Sequence, residues 1–279
     1  QVFFIPHGGG PLPLMDDPGY ARLAEMLKSL HADVAGAKAI ILVTAHWETE
    51  RPTMTGSERP GMLYDYYGFP EETYQLKYPA PGAPELANKV AETLSGHGFQ
   101  TEFDRHRGFD HGTFVPMMLI LHEADIPILQ MSVLSSLDPA QHLALGRALS
   151  PALQKDTILI GSGFSFHNLK ALQGRLDEGA AEQGKSLATQ FHAWLDDVTC
   201  DPKLPADARD QALIDWAAAP GARFCQPREE HLLPLHVCIG AAQAANLTAR
   251  KIFNEPVKGY QTSGYSWSLA LQGNLFRKT

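Results

Sequence analysis

Apolar residues occur along the chain in two kinds of block, short continuous runs and longer stretches with helical spacing. The short runs contain few polar side chains, as strands do when both faces of a parallel sheet are covered. They are residues 2–5, 38–44, 126–133 and 157–160. The helical stretches repeat an apolar residue every three or four positions. They are residues 18–30, 84–96, 139–153 and 180–198. We therefore predict an α/β fold with a mostly parallel central sheet flanked by helices.

The rest of the chain is less regular. Residues 51–81 are rich in Pro, Gly and Tyr, which predicts an irregular loop with short strands, and a loop of this length is more often functional than idle. The remaining expected elements are helices over 205–218 and 228–245, an edge strand near 99–103, and final strands near 252–253 and 265–271. No linker, low-complexity tract or repeat divides the chain, so we expect one domain over residues 1–279.

Four histidines lie where these predicted elements begin or end. His7 and His46 follow the first two strands, and His231 opens a helical run. His167 follows the fourth strand after Gly161-Ser162-Gly163, small residues that allow a sharp turn and a close backbone approach. Ligands of open α/β sheets bind beyond the carboxyl ends of the strands, so we expect a site there. A single metal ion held from distant segments needs this arrangement, although plain turns and ordinary packing of each histidine remain alternatives.

A fifth histidine, His111, follows Asp110 in a polar segment. The pair indicates a loop in which the carboxylate orders an imidazole, and a solvent-exposed turn is the alternative.

Charge and cysteine content exclude several classes of partner. The formal net charge is −8 with no basic stripe, so we expect no nucleic-acid partner. No apolar run approaches the ~20 residues that a membrane span requires. The three cysteines have no CxxC spacing, which argues against a disulfide framework or a thiolate zinc site. We therefore expect a cytoplasmic protein.

Six short segments occur in the same order as in a known enzyme family, from residue 1 to about residue 245. They are His7-Gly8-Gly9-Gly10-Pro11, Thr44-Ala45-His46-Trp47-Glu48, Tyr66-Tyr67-Gly68-Phe69-Pro70, Asp110-His111-Gly112, Gly161-Ser162-Gly163 through His167-Asn168-Leu169, and Pro227-Arg228-Glu229-Glu230-His231-Leu232-Leu233-Pro234-Leu235. On these segments the chain resembles the LigB-type, class III extradiol ring-cleavage dioxygenases, in the DOPA extradiol dioxygenase (DODA) branch. One departure is Gly9-Gly10, where many members carry a Ser or another residue, and it affects substrate contacts more than metal binding.

The resemblance implies a non-haem, metal-dependent extradiol dioxygenase that opens the ring of a catechol with both atoms of O₂. It implies that the metal ligands are His7, His46 and His231, with Glu230 as an alternative third ligand. It makes His167 the acid–base group and a possible additional ligand. It also implies that His111 is a catalytic residue in the substrate pocket, where Tyr67 of the aromatic loop contacts the substrate.

The implied cofactor is Fe²⁺ for activity, and Zn²⁺ fits three histidines equally well in the isolated protein. Two other functions remain open. One is a zinc-dependent hydrolase that uses the same histidines to activate water, and the other is a non-enzymatic binding protein similar to the Memo group. The identity of the catechol and the possibility of a homo-oligomer also remain open.

Overall fold

The computed structural model describes residues 1–153 and 156–269, and within them eight strands form one sheet. The strands are β1 (Val2–Pro6), β2 (Ala39–Thr49), β3 (Thr53–Thr55), β4 (Glu102–Asp104), β5 (Ile128–Leu134), β6 (Thr157–Gly163), β7 (Thr248–Val257) and β8 (Tyr260–Ser268). Their order across the sheet is β4-β3-β5-β2-β6-β1-β8-β7. The four central strands β5, β2, β6 and β1 are parallel to one another, whereas β8 and β7 add an antiparallel hairpin at one edge. The predicted mostly parallel sheet is confirmed.

Helices cover both faces of this sheet. They are α1 (Ala21–Ser29), α2 (His31–Val34), α3 (Pro84–Gly96), α4 (His111–Ile120), α5 (Pro139–Leu149), α6 (Leu169–Leu172), α7 (Glu178–Cys200), α8 (Ala206–Ile214), α9 (Ala222–Cys225) and α10 (Leu233–Ala244). Among the residues that the structure describes, no helix combines the length and apolar character needed to cross a membrane.

The central strands are apolar on both faces because two separate cores lie against the sheet. Val2 and Phe4 of β1 belong to one core, which α3, α5, α7 and α10 complete. Phe3 and Ile5 alternate with them and belong to the other core, which α1 and α4 complete. Successive side chains of a strand point to opposite faces, so an uninterrupted apolar run is what two covered faces require.

Glycines of β6 let helix α10 approach the sheet closely. A Cβ atom at Gly163 would overlap the carbonyl oxygen of His231, and one at Gly161 would lie 2.6 Å from the carbonyl oxygen of Pro234. The predicted close backbone approach is therefore confirmed. The predicted sharp turn is wrong, because both glycines belong to the extended strand and the chain leaves the sheet only after Gly163.

Two further expectations are wrong. Strand β2 does not end before His46 but continues to Thr49, with a shift of register against β5 between Thr44 and Glu48. The segment that begins at Asp110 is not a turn, because it starts the buried helix α4. Apolar residues occur all around α4, so it lacks the one-sided spacing by which a helix is recognised in a sequence.

We predict that Gly163→Ala destabilises the protein, because the new methyl group would displace the backbone that positions His231. Overpacking of this kind costs ~1–3 kcal/mol in the free energy of unfolding, measurable by urea denaturation. Gly96→Ala is the matched control, since Gly96 is exposed and a Cβ atom there meets no atom within 4 Å. Equal stability of the two variants would contradict the proposed importance of this contact.

Candidate metal centre

Three imidazole rings from separate segments converge at the carboxyl ends of the central strands. The Nε2 atom of His46 lies 3.0 Å from Nε2 of His7 and 3.2 Å from Nε2 of His231. The ring centroids of His7 and His231 are 5.2 Å apart. The structure thus brings together three of the histidines that the sequence singled out, with the same ring atom of each directed to one point.

The sheet positions the first two rings. His7 directly follows β1, and its backbone N–H donates to the carbonyl oxygen of Gly163 on the neighbouring strand β6, at 3.0 Å. His46 lies in β2, on the other side of β6. Three residues, Ala45 to Trp47, separate the positions that pair with Ser132 and Val133 of β5. A bulge of this kind re-aims a side chain, and here it directs His46 towards His7.

The third ring is supplied by the segment that leads into α10. The backbone N–H of Phe164, just beyond β6, donates to the carbonyl oxygen of His231 at 3.0 Å. This bond and the glycine contacts of β6 hold the start of α10 against the sheet edge. His231 itself is 4% exposed.

Each of the three rings has an oxygen atom beside its other nitrogen. His7 Nδ1 lies 3.1 Å from Ser162 Oγ, and the Ser162 hydroxyl donates to the carbonyl oxygen of Gly112, so Ser162 accepts from His7. His231 Nδ1 lies 3.1 Å from Glu230 Oε1, and His46 Nδ1 lies 3.4 Å from Asp65 Oδ2. With a proton on each Nδ1, all three Nε2 atoms present lone pairs to the same point.

This arrangement fits a metal ion. Neutral imidazole nitrogens are good ligands for zinc and for non-haem iron, and a metal-binding histidine commonly donates its other N–H to an oxygen. Burial, reinforced by the neighbouring histidines, lowers the pKa of His7, His46 and His231, so all three are neutral at pH 7. Three converging lone pairs repel one another unless a cation lies between them.

Two groups of potential ligands, with no residue in common, make up this centre. Ligand atoms of His7, His46 and His111 lie within 4.8 Å of one another, as do those of His167, Glu230 and His231. The 3.2 Å contact between Nε2 of His46 and Nε2 of His231 joins the two groups, so all five histidines of interest in the sequence lie at one site.

His167 stacks on His231. The two ring centroids are 3.3 Å apart with an interplanar angle of 16°. The backbone N–H of His167 donates to the carbonyl oxygen of Cys225 at 2.7 Å, which anchors the loop beyond β6. Burial, and secondarily the proximity of His111, lowers the pKa of His167 to about 4, so its ring is a neutral base at pH 7.

Asp65 orients His111 and contacts His46 as well. Its Oδ1 atom accepts from the backbone N–H of His111 at 2.9 Å and lies 2.7 Å from His111 Nδ1. Although burial opposes ionisation, the hydrogen bonds from His111 hold the pKa of Asp65 at about 2. Sequence analysis did not single out this carboxylate. It lies in the irregular loop with no periodic pattern, and its position between the aromatic residues was the one available signal.

Asp110 does not have the structural role that the sequence suggested. It does not bind the imidazole of His111, and the alternative of an exposed turn is also wrong, because Asp110 is fully buried. It accepts from Thr44 Oγ1 at 2.8 Å and from Arg107 Nη2 at 2.9 Å. Arg107 Nη2 also donates to the carbonyl oxygen of His46 at 3.1 Å. Asp110 and Arg107 therefore support the bulge of β2 rather than the pocket histidine.

Glu230 lies behind His231, on its Nδ1 side. Its Oε2 atom is 3.3 Å from Arg228, which forms two further bonds of 2.5 and 2.7 Å with Glu48. Burial raises the pKa of Glu230, and the guanidinium of Arg228 opposes that rise.

The five histidines line a cavity of about 490 Å³. Its wall contains the loop Gly8 to Gly10, Tyr66 and Phe69, together with residues of α6. Tyr67 also lines the cavity, with 91% of its surface exposed, so it lies at the mouth. A cavity of this size is within the ~300–1,000 Å³ range of small-molecule sites.

Comparison with known proteins gives one consistent family. Residues 2–266 match the LigB family, the catalytic LigB subunit of aromatic ring-opening dioxygenase. The chain is 44% identical to the dioxygenase tasH of Hapsidospora irregularis, over 86% of this chain and 78% of that protein. It is 37% identical to a 4,5-DOPA dioxygenase extradiol of Beta vulgaris, over 95% of this chain and 94% of that protein.

A similar enzyme and a similar structure come from Escherichia coli. The 4,5-DOPA dioxygenase extradiol of strain K12 is 30% identical, over 86% of this chain and 84% of that protein. The crystal structure of the uncharacterized protein JW3007 from Escherichia coli K12 superposes with a TM-score of 0.73 at 26% identity. That match covers 95% of this chain and 98% of the other.

We predict that Asp65→Ala lowers kcat/KM for ring opening by about 10–100-fold, because residues that orient a site's histidines typically contribute that much. Asp65→Asn keeps an oxygen acceptor for His111 and should lose less. Circular dichroism and thermal melting check that both variants fold. Asp33→Asn is the control, since Asp33 is exposed and does not line the cavity. Wild-type activity in Asp65→Ala would show that Asp65 does not orient the site.

Proposed function

The chain belongs to the LigB family of aromatic ring-opening dioxygenases, and we propose that it opens the ring of a catechol with O₂ at a single Fe(II) ion. The family match and the similarity to relatives named 4,5-DOPA dioxygenase extradiol identify the protein as a non-haem extradiol dioxygenase. The proposed ligands are His7, His46 and His231. The observation that carries this proposal is the convergence of their three Nε2 atoms, separated by 3.0 and 3.2 Å along the pairs with His46.

Three neutral nitrogen ligands suit the proposed reaction because they leave positions open for other molecules. An Fe(II) ion held by these residues would supply Lewis acidity towards the catechol and the redox chemistry that activates O₂. We propose His231 rather than Glu230 as the third ligand. Glu230 lies beside Nδ1 of His231, where a carboxylate orients the ring and increases its basicity.

His167 is the proposed general base for the catechol. Its ring lines the cavity beside His231, and its lowered pKa keeps it neutral and able to take a proton from a catechol hydroxyl. After accepting that proton it can return it, as a general acid, to an oxygen atom of the ring-opened product. The backbone N–H of His167 donates to the carbonyl oxygen of Cys225, and this bond keeps the imidazole in the cavity wall.

His111 is proposed to hold the substrate from the opposite wall. Its Nδ1 atom bonds Asp65 Oδ1 at 2.7 Å, which leaves Nε2 as the ring atom that can bond a catechol hydroxyl. Tyr67 lies at the mouth, where its ring would cover a bound aromatic ring. Because His111 is buried, water is excluded from its surroundings, which strengthens the hydrogen bonds that its ring forms.

Two broader proposals concern the domain organisation and the cellular location of the protein. We propose that residues 1–279 form one LigB-like domain, since all described strands lie in one sheet and the family match spans residues 2–266. We also propose a cytoplasmic location, because Cys200, Cys225 and Cys238 are all free thiols, as is usual in a reducing compartment.

The proposed function predicts metal-specific turnover. After anaerobic loading with Fe(II), the protein should consume one O₂ for each catechol opened, measured with an oxygen electrode and by the visible absorbance of the product. Zinc has no redox chemistry, so the zinc-loaded protein should bind catechol without cleaving it. Hydrolysis of esters or amides by the zinc form, with no O₂ uptake by the iron form, would favour a hydrolase instead.

Substitution of the histidines should separate ligands from catalytic groups. We predict that His7→Ala, His46→Ala and His231→Ala each lose bound metal, because two nitrogen ligands hold an ion much less tightly than three. His167→Ala should keep the metal and lose ring cleavage by about 10²–10⁴-fold, the usual contribution of a general acid–base group. Elemental analysis and single-turnover kinetics measure the two effects.

His97→Ala is the control for this series, since His97 is exposed at the end of α3 and lies outside the cavity lining. Full occupancy in His231→Ala together with loss in Glu230→Ala would transfer the third ligand to Glu230. Loss of metal in His167→Ala would make that residue a ligand.

A further inference from the structure

The wall of the cavity offers no cation to a charged substrate. Among the described residues that line it, none is Lys or Arg, and Asp65 is the one carboxylate. The five histidines of the lining surround the proposed metal. Beyond them the wall consists of the glycine loop, aromatic and leucine side chains, and the amide of Gln173. A substrate carboxylate bound here would therefore lack an ionic partner from the protein wall.

Three cationic side chains near the cavity are already paired. Arg228 binds Glu48 with bonds of 2.5 and 2.7 Å, and Arg107 binds Asp110 at 2.9 Å. On the side of Tyr20, Lys258 binds Asp17 at 2.7 Å. A carboxylate could recruit one of these cations only by separating an ion pair, which would leave another carboxylate without its partner.

The single carboxylate of the wall also disfavours a charged substituent. Asp65 accepts from the backbone and ring of His111, so it offers a substrate carboxylate no hydrogen-bond donor. An ammonium group would find this carboxylate already engaged. Oδ1 accepts from the backbone and ring of His111, and Oδ2 lies 3.4 Å from His46 Nδ1.

The mouth of the cavity is apolar instead. Leu169 is 49% exposed, and Tyr67, which also lines the cavity, is 91% exposed. In the described part of the chain only five large hydrophobic residues are exposed, and these are two of them. Leu12 and Leu172 continue the apolar wall inward. Exposed apolar surface beside a cavity marks the place where a ligand covers it.

We propose that the preferred substrate is a catechol with an uncharged, apolar substituent, and that a catechol carboxylate or amino acid is disfavoured. The substituent lies along Leu172, Leu169 and Tyr67, while the two hydroxyls face the histidines. This proposal rests on the proposed function and names the substrate class of the same site. It sets this chain apart from those relatives whose name specifies DOPA, a catechol amino acid.

A matched pair of substrates tests the charge alone. Using the iron-loaded protein at neutral pH, kcat/KM is measured for 3-(3,4-dihydroxyphenyl)propionate, for its methyl ester, and for unsubstituted catechol as a reference. The ester should exceed the propionate by about tenfold or more, because the lining gives the carboxylate no cationic partner. An equal or higher kcat/KM for the propionate would overturn the proposal.

Substitutions of the wall supply the second half of the test. Gln173 is an exposed lining residue, so Gln173→Arg adds a cation at the cavity and should lower the ratio of ester to propionate relative to the size-matched Gln173→Met. Lys170→Ala removes an exposed cation of α6 that does not line the cavity, and the ratio should not change. A higher ratio of ester to propionate in Lys170→Ala than in the wild type would identify Lys170 as the partner of the substrate carboxylate and refute the proposal.

The reference substrate separates this proposal from the function on which it rests. Cleavage of catechol with preference for the propionate refutes the substrate class alone. Failure to cleave any of the three substrates, with iron bound, refutes the proposed function and this proposal together.

Discussion

The candidate metal site depends on holding three imidazole lone pairs close together with no cationic side chain between them. Nε2 atoms separated by 3.0 and 3.2 Å repel one another unless a cation lies between them. The fold holds the rings in place against this repulsion. Each Nδ1 has an oxygen neighbour that fixes the orientation of its ring, namely Ser162 for His7, Asp65 for His46 and Glu230 for His231. Burial keeps the rings neutral, so the same features that constrain the histidines also prepare them as ligands.

The sheet and helix α10 provide the rigidity that such a site needs. Strands β2, β6 and β1 are adjacent and parallel, which places His46 and His7 on either side of β6. The glycines of β6 admit the backbone around His231 to the same edge. Because all three proposed ligands come from packed elements, substitutions distant from the candidate metal site, such as at Arg107 under the β2 bulge, can still alter the geometry at the site.

Most of the fold and the histidines of the site were predictable from the sequence. Continuous apolar runs indicated strands covered on both faces, and His7 and His167 lie beyond such runs as expected. The bulge at His46 was not predictable, because a register shift depends on pairing with β5 and leaves no pattern in β2 itself. Asp65 was missed for a related reason. It is 46 residues from His111 in the sequence, whereas the adjacent Asp110, which suggested a contact with His111, bonds Thr44 and Arg107 instead.

Because the potential ligand atoms form two adjacent groups, the number of bound ions is the most direct test of this account. Ligand atoms of His7, His46 and His111 form one group, and those of His167, Glu230 and His231 form the other. An anaerobic titration with Fe(II), followed by both calorimetry and ring-opening activity, measures the stoichiometry. The account predicts that heat and activity both reach their end point at one ion per chain. An end point at two ions, with activity only when both are bound, would contradict it.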